Sequence, residues 1–260
     1  MKEFTAGFNP YFQNREQIAV EVSATLLPHL QKQMGEINEI HYYGTGCSTA
    51  ENCKVIEDAL TQTLHAKNIF VAHDLLAAAR ALCRNEWGIA SILGTGSNSC
   101  LYNGVDVIEN VPSTGYLWSD YGGGSQIGKF FIREYFEGNM PDDLRTAFEE
   151  AGYNREVILN NVYKSAVPAR YLASVSLFAQ QHADHAFARK ILDSCFDSFF
   201  EQQVSKYTDS KKYKVHTVGS VGYYFRQQIA EVASRHGYNM GNVIQSPMEG
   251  LITFHGGEFT

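Results

Sequence analysis

An α/β protein of two lobes is the architecture this sequence predicts, and three observations point to it. Short apolar runs alternate with amphipathic helical stretches along the 260 residues. The apolar runs end in Gly/Ser/Thr turns, which is where open α/β sheets place their ligands. The first third is rich in such runs and the middle is almost wholly helical, so a lobe boundary is expected near residues 88–92.

Taken in order, residues 1–10 read as an extended segment ending in Asn9-Pro10. Residues 15–34 carry Ile18, Val22, Leu26 and Leu30 at helical spacing, with Pro28 as a kink. IHYYGTGC (40–47) predicts a buried strand and a Gly/Thr turn, followed by a helix from about Ser48 to Leu64. NIFVAHD (68–74) predicts a second strand that ends at Asp74, with the helix LLAAARALC behind it. GIASILGTGSNSCLYNG (88–104) predicts two strands around a glycine turn, and VDVIENV (105–111) a third. SDYGGGSQ (119–126) opens a helix through Phe136, and a helical region follows from Asp142 to about Tyr207. KVHTVGSVG (214–222) returns to a strand and glycine turn, then the helix YYFRQQIAEVASRHG, and NVIQSPMEGLITF closes with a short strand and a helix.

Composition narrows the function classes. Hydrophobic residues are 44% and charged residues 19%, ordinary for a globular protein, and the net charge is -7. No Lys/Arg cluster is present to gather phosphates, so a nucleic-acid partner is not expected. No apolar run is long enough for a bilayer, and the N-terminus lacks a signal-peptide pattern. Five cysteines, an odd number without CxxC, suit free thiols in a reducing cytoplasm.

The candidate chemistry sits at the strand ends. In Gly94-Thr95-Gly96-Ser97-Asn98, small residues would let successive backbone N–H groups converge on a phosphate. The segment is neither a Walker A loop nor a dinucleotide fingerprint, and a plain hairpin turn is the competing reading. Asp74 could take a proton from a substrate hydroxyl or could cap a helix. Asp120 could bind sugar hydroxyls, hold Mg²⁺ through water or start a turn. Gly219-Ser220 could seat adenine or ribose, or only join strand to helix. His182 and His185 have metal-like spacing, but a solvated helix face is the better reading. His73 could tune Asp74 or be structural.

The order of these pieces carries more than any one of them. YYGTGC, VAHD-LLAAARAL, SILGTGSNS, GYLWSDYGGGSQIG, VGSVG and SPMEGL, in that sequence, resemble the N-acetylglucosamine kinase and BadF/BadG/BcrA/BcrD ATPase family of the actin/hexokinase/Hsp70 superfamily. The resemblance implies two ribonuclease-H-like lobes with ATP and sugar in the cleft between them. It implies one lobe of residues 1–90 plus a closing helix at about 246–260, and a second of residues 91–245.

It also implies roles. Asp74 matches the catalytic carboxylate, and Gly94, Thr95, Gly96, Ser97 and Asn98 match the loop around the β- and γ-phosphates. Gly219 and Ser220 match the adenosine loop. Asn9, Thr95, Gly115 and Asp120 match the substrate side, and Gly44, Thr45 and Gly46 the connecting turn. The implied activity is ATP-dependent phosphorylation of an N-acetylated amino sugar, N-acetylglucosamine or a relative such as N-acetylmuramic acid, with Mg²⁺. A BadF-type ATPase that activates a partner enzyme, or a non-catalytic binding relative, are the alternatives. A homodimer is left open. The family's first Asp-x-Gly-x-Thr loop has no counterpart in this sequence, so full activity of the chain alone is not expected. Tyr121 stands where the family often has Glu, and Thr114 where some members have an aromatic.

Overall fold

The computed structural model describes residues 7–33 and 36–256. Contacts divide the chain into two compact units, one up to Ala77 and one from Ala78 onward.

The first unit is built on a βαβ motif. Helix α1 (Arg15–Thr25) starts at Asn14, whose side chain accepts from Gln17 N–H while the Gln17 side chain accepts from Asn14 N–H. Helix α2 (Leu27–Gln33) follows after a break at Leu26. The single kinked helix expected over 15–34 is therefore two helices. Pro28 has no N–H to continue α1, and its ring would press on the carbonyl four residues earlier, but it fits a first turn. Strands β1 (Glu39–Gly44) and β2 (Asn68–His73) pair in parallel, from Glu39↔Asn68 to Gly44↔His73. Their crossover is α3 (Ala50–Leu64), capped by Thr49, whose hydroxyl accepts from Asn52 N–H. Ile18 and Val22 of α1 meet Ile56, Ala59 and Leu60 of α3 in a small core. Of the extended segment expected over residues 1–10, Met1–Ala6 lie outside the described residues, and a turn occupies 10–12.

Helix α4 (Asp74–Cys83) starts in the first unit and ends in the second. The second unit holds a five-stranded sheet in the order β5-β4-β3-β6-β7. Its first strands, β3 (Trp87–Leu93), β4 (Ser97–Asn103) and β5 (Val107–Asn110), form an antiparallel meander. Then come helices α5 (Gly124–Phe136), α6 (Asp142–Glu150), α7 (Arg155–Tyr163), α8 (Pro168–Gln181) and α9 (Ala186–Gln202). Strand β6 (Val215–Val218), helices α10 (Ser220–Tyr224) and α11 (Arg226–Arg235), strand β7 (Met240–Ile244) and helix α12 (Met248–Phe254) complete it. β6 lies parallel to both β3 and β7.

The core joins Ile89, Leu93 and Leu101 of the sheet to Phe131 of α5, Phe178 of α8, Phe196, Phe199 and Phe200 of α9, and Ile229 and Val232 of α11. Gly128 is required where α5 crosses α8, because any Cβ there would run into the Leu172 carbonyl.

The division differs from the expected lobe limits. Residues 90 and 91 lie inside β3, which is bonded to β4 on one side and β6 on the other, so the chain cannot part there. Helix α12 groups with the second unit, where Gly250 packs directly on Ala81 of α4. No described helix is long and apolar enough to cross a membrane.

Candidate active site

In the first unit, the parallel register places the residues that leave β1 and β2 side by side. Gly44 pairs with His73, so Thr45 and Asp74 follow at the same level. The Thr45 hydroxyl donates to Asp74 Oδ2 at 2.8 Å. The cap of α4 is supplied by His73, whose Nδ1 accepts from Leu76 N–H at 3.1 Å. Burial holds this imidazole below its usual pKa, against the pull of the Asp74 charge, and keeps Nδ1 free to accept. Asp74, half-buried as the first residue of the helix, thus keeps its carboxylate out of the cap.

Asn9 closes the floor of this corner. Its Oδ1 accepts from Tyr11 N–H at 3.0 Å and lies 2.6 Å from where a Cβ at Gly46 would stand. Gly46 has φ +87, and its carbonyl accepts from Asn52 Nδ2 at 2.8 Å. Burial, with Cys53 and Asp74 nearby, pushes the Cys47 thiol up to about 11, so it is no nucleophile at neutral pH.

In the second unit, Gly94, Thr95 and Gly96 form the tight turn between β3 and β4. Gly94 N–H donates to the Gly96 carbonyl at 3.0 Å. The start of α5 grips the same turn, since Gly124 N–H donates to the Gly94 carbonyl (2.9 Å) and Ser125 N–H to the Thr95 carbonyl (2.8 Å). A trans peptide points its N–H opposite to its C=O. The N–H groups of Thr95 and Gly96 are therefore both turned away from α5. Neither has an acceptor among the described residues. Thr95 is exposed, and a Cβ at Gly94 would meet nothing within 4 Å.

Ser97 and Asn98 are differently placed. They belong to β4, not the turn. Ser97 N–H donates to Asp120 Oδ1 at 3.2 Å, and its hydroxyl accepts from Gln203 Nε2 at 3.4 Å. Asn98 Oδ1 accepts from Ser99 N–H and from Asn110 Nδ2.

The Gly219 turn is brought against the Gly94 turn by sheet order. β6 runs beside β3 with Ile92↔Val218 in register, so Gly219 follows next to Leu93. Gly219 has φ +119, and a Cβ would strike the Leu93 carbonyl. Its N–H donates to the Ile244 carbonyl at 3.1 Å. Ser220 is exposed at the head of α10.

Asp120 is 7% exposed and sits at φ +58. Besides Ser97 N–H, Oδ1 accepts from the Ser113 hydroxyl at 3.2 Å, and Oδ2 takes the Ser125 hydroxyl at 3.5 Å. Before it, residues 113–119 form a self-bonded loop in which Thr114 N–H donates to Ser119 Oγ and Ser119 N–H to the Gly115 carbonyl. Gly115 has φ +78 with open space where a side chain would be. Lys129 of α5 donates to the Tyr116 carbonyl.

Several of these supports carry no local sequence signal. Lys129, Gln203 and Tyr207 act across long separations: Tyr207 and Gln203 both bond the Ser99 hydroxyl, at 2.7 and 3.2 Å. Serine alternation in Ser97-Asn98-Ser99 is the one hint in the sequence that a face of β4 is polar inside. The HADH histidines resolve as structural: His185 caps α9 through Phe187 N–H, and the His182 ring packs on Phe178. Among the described residues no group of three His, Cys, Asp or Glu could hold a metal ion.

No family model matches the chain, and neither does any curated protein sequence. Solved structures do. A candidate N-acetylglucosamine kinase from Porphyromonas gingivalis is 37% identical, with TM-score 0.92, over 97% of this chain and 89% of that one. A candidate N-acetylglucosamine kinase from Chromobacterium violaceum shares the fold at 14% identity, TM-score 0.67, over 92% and 83% of the two chains. MamK, solved with AMPPNP bound, shares it at 10% identity, TM-score 0.53, over 89% and 72%. At this level of identity and coverage with the Porphyromonas protein, the chain belongs to the N-acetylglucosamine kinase family, within the actin-like ATPase superfamily.

Proposed function

We propose that this chain is an ATP-dependent kinase of an N-acetylated amino sugar of the N-acetylglucosamine type. The observation that carries the reading is the β3–β4 turn. Two consecutive N–H groups, of Thr95 and Gly96, leave the same side of the turn without an acceptor. Beside them Gly94 is a glycine that neither its own packing nor a positive φ demands. A glycine of that kind is accounted for by close approach of a ligand to the backbone, and paired N–H groups suit phosphate oxygens. Family membership supplies the sugar class.

Phosphoryl transfer needs alignment and neutralisation of charge more than covalent help. In this reading Thr95 and Gly96 donate to the phosphates, and Gly219 and Ser220 receive the nucleoside. Asn9, Thr95 and the Gly115 loop face the sugar. Asp74 accepts the proton of the sugar hydroxyl as its oxygen attacks the γ-phosphorus and ADP departs. With Oδ2 held by Thr45, Oδ1 is the oxygen offered to that hydroxyl. No protein cluster is assigned to Mg²⁺, which would arrive with the triphosphate and neutralise its charge. Cys47, Cys83, Cys100 and Cys195 are buried, which weighs against an activator that shares a cluster through surface thiols.

The test is ADP release from ATP and Mg²⁺ with N-acetylglucosamine, N-acetylmuramic acid, glucose or no sugar. Turnover should depend on an N-acetylated sugar, and Asp74→Asn should lower kcat by about 10²–10⁴-fold without lowering the unfolding temperature. ATP hydrolysis indifferent to every sugar would sink the kinase reading.

A further inference from the structure

The carboxylate of Asp120 is committed inside the protein. Oδ1 binds Ser97 N–H, at the foot of the Gly94–Gly96 turn, and the hydroxyl of Ser113, at the start of the 113–119 loop. Oδ2 reaches Ser125 Oγ on α5 and lies 2.6 Å from where a Cβ at Gly96 would stand. The residue is 7% exposed, and its positive φ aims the side chain back under the turn. Lys129 tethers the same loop at Tyr116 and stands near enough for its charge to act on Asp120. An acceptor with its lone pairs spent on protein donors has little left for a sugar hydroxyl.

We propose that Asp120 is a positioning residue that clamps the β3–β4 turn to the 113–119 loop, and that it makes no contact with the sugar. The proposal rests on the kinase reading for what the two loops bind. It makes the phosphate side and the sugar side share one support. Loss of the carboxylate should loosen the Thr95 and Gly96 donors even when no sugar is present. Loss of Ser113 should loosen only the sugar-side loop, because the bond to Ser97 N–H survives.

The experiment compares the unaltered chain with Asp120→Gly, Asp120→Asn and Ser113→Ala. Glycine keeps the left-handed backbone without strain, and asparagine tolerates it, so both variants can fold. Binding of AMPPNP with Mg²⁺ is measured without sugar. Asp120→Gly should weaken it about tenfold, the worth of a charge-assisted hydrogen bond, Asp120→Asn should weaken it less, and Ser113→Ala should leave it unchanged. In turnover, Ser113→Ala should raise the KM for sugar and leave that for ATP alone. Hydrogen exchange at the Ser97 amide is read in the same proteins without ligand, and should be faster in Asp120→Gly than in Ser113→Ala.

Unchanged AMPPNP binding in Asp120→Gly with a raised sugar KM would make Asp120 a sugar contact and overturn the clamp. An unchanged Ser97 amide would overturn it as well. If no form of the chain binds AMPPNP yet the Ser97 amide is released in Asp120→Gly, the clamp stands and the kinase reading fails.

Discussion

The tripeptide Gly-Thr-Gly occurs at 44–46 and again at 94–96, and the two copies fold differently. The first leaves a parallel strand and runs toward α3. The second reverses the chain between antiparallel strands. The next three residues of each copy set its course. Cys47-Ser48-Thr49 ends in a side-chain cap that starts a helix. Ser97-Asn98-Ser99 alternates and pairs back on β3. Yet one detail is shared. In both copies the last glycine lies under an Asx oxygen, Asn9 Oδ1 over Gly46 and Asp120 Oδ2 over Gly96, each 2.6 Å from the absent Cβ. The absent side chains are spaces filled by a neighbour that braces the turn. The threonines divide the work: Thr45 spends its hydroxyl on Asp74, whereas Thr95 stands exposed.

The largest effect should come from Gly96→Ala. The new methyl would displace the Asp120 carboxylate, and φ at 96 is not positive, so the backbone itself is not strained. Nucleotide affinity should fall about tenfold, as in Asp120→Gly, with little change in unfolding temperature. Titration with AMPPNP beside a thermal melt checks both halves. Gly46→Ala should do the reverse. There φ is +87 and Pro10 and Tyr11 crowd the site at 3.1 Å, so stability should drop by about 1–2 kcal/mol. Equal losses of nucleotide affinity in both variants would end the contrast between the turns.

The hydroxyls give a smaller contrast. Thr45→Val removes the donor that orients Asp74 and should lower kcat several-fold, with the KM for ATP unmoved and Thr45→Ser restoring the rate. Thr95→Val should leave the melting temperature alone, since no intramolecular bond of that hydroxyl is lost. Steady-state kinetics on the three variants decides it.

Local pattern suffices for the hairpin at 92–98, for Asp74 at a strand-to-helix corner and for the glycine turn after β6, because each is set by residues within a few positions. Three features are out of its reach. The break at Leu26 depends on how one proline is absorbed, as a kink or as a new first turn. The division at Ala77/Ala78 depends on which contacts accumulate after folding. The service of Asp120 depends on partners at 97 and 113 that meet it only once β4 and α5 have packed.

The smallest effect bears on the first turn alone. His73 holds α4 by accepting Leu76 N–H at Nδ1, which a proton on that nitrogen forbids. Burial lowers its pKa below the ordinary histidine value of 6.5. A histidine with a lowered folded pKa contributes stability that is fully present above the unfolded value and lost as pH falls through the folded one. Acid below 6.5 should therefore weaken the corner that carries Asp74. Asparagine caps helices without titrating, so His73→Asn keeps the bond and removes the proton site. His216, lowered to about 4 by burial, titrates in both proteins and cancels in the comparison. Thermal melts at about pH 7.5 and 5.5, on either side of the ordinary histidine pKa, should show the unaltered chain losing more stability than His73→Asn, by less than the roughly 1 kcal/mol of a whole cap. Parallel losses in the two proteins would mean that the cap does not depend on the charge state of His73.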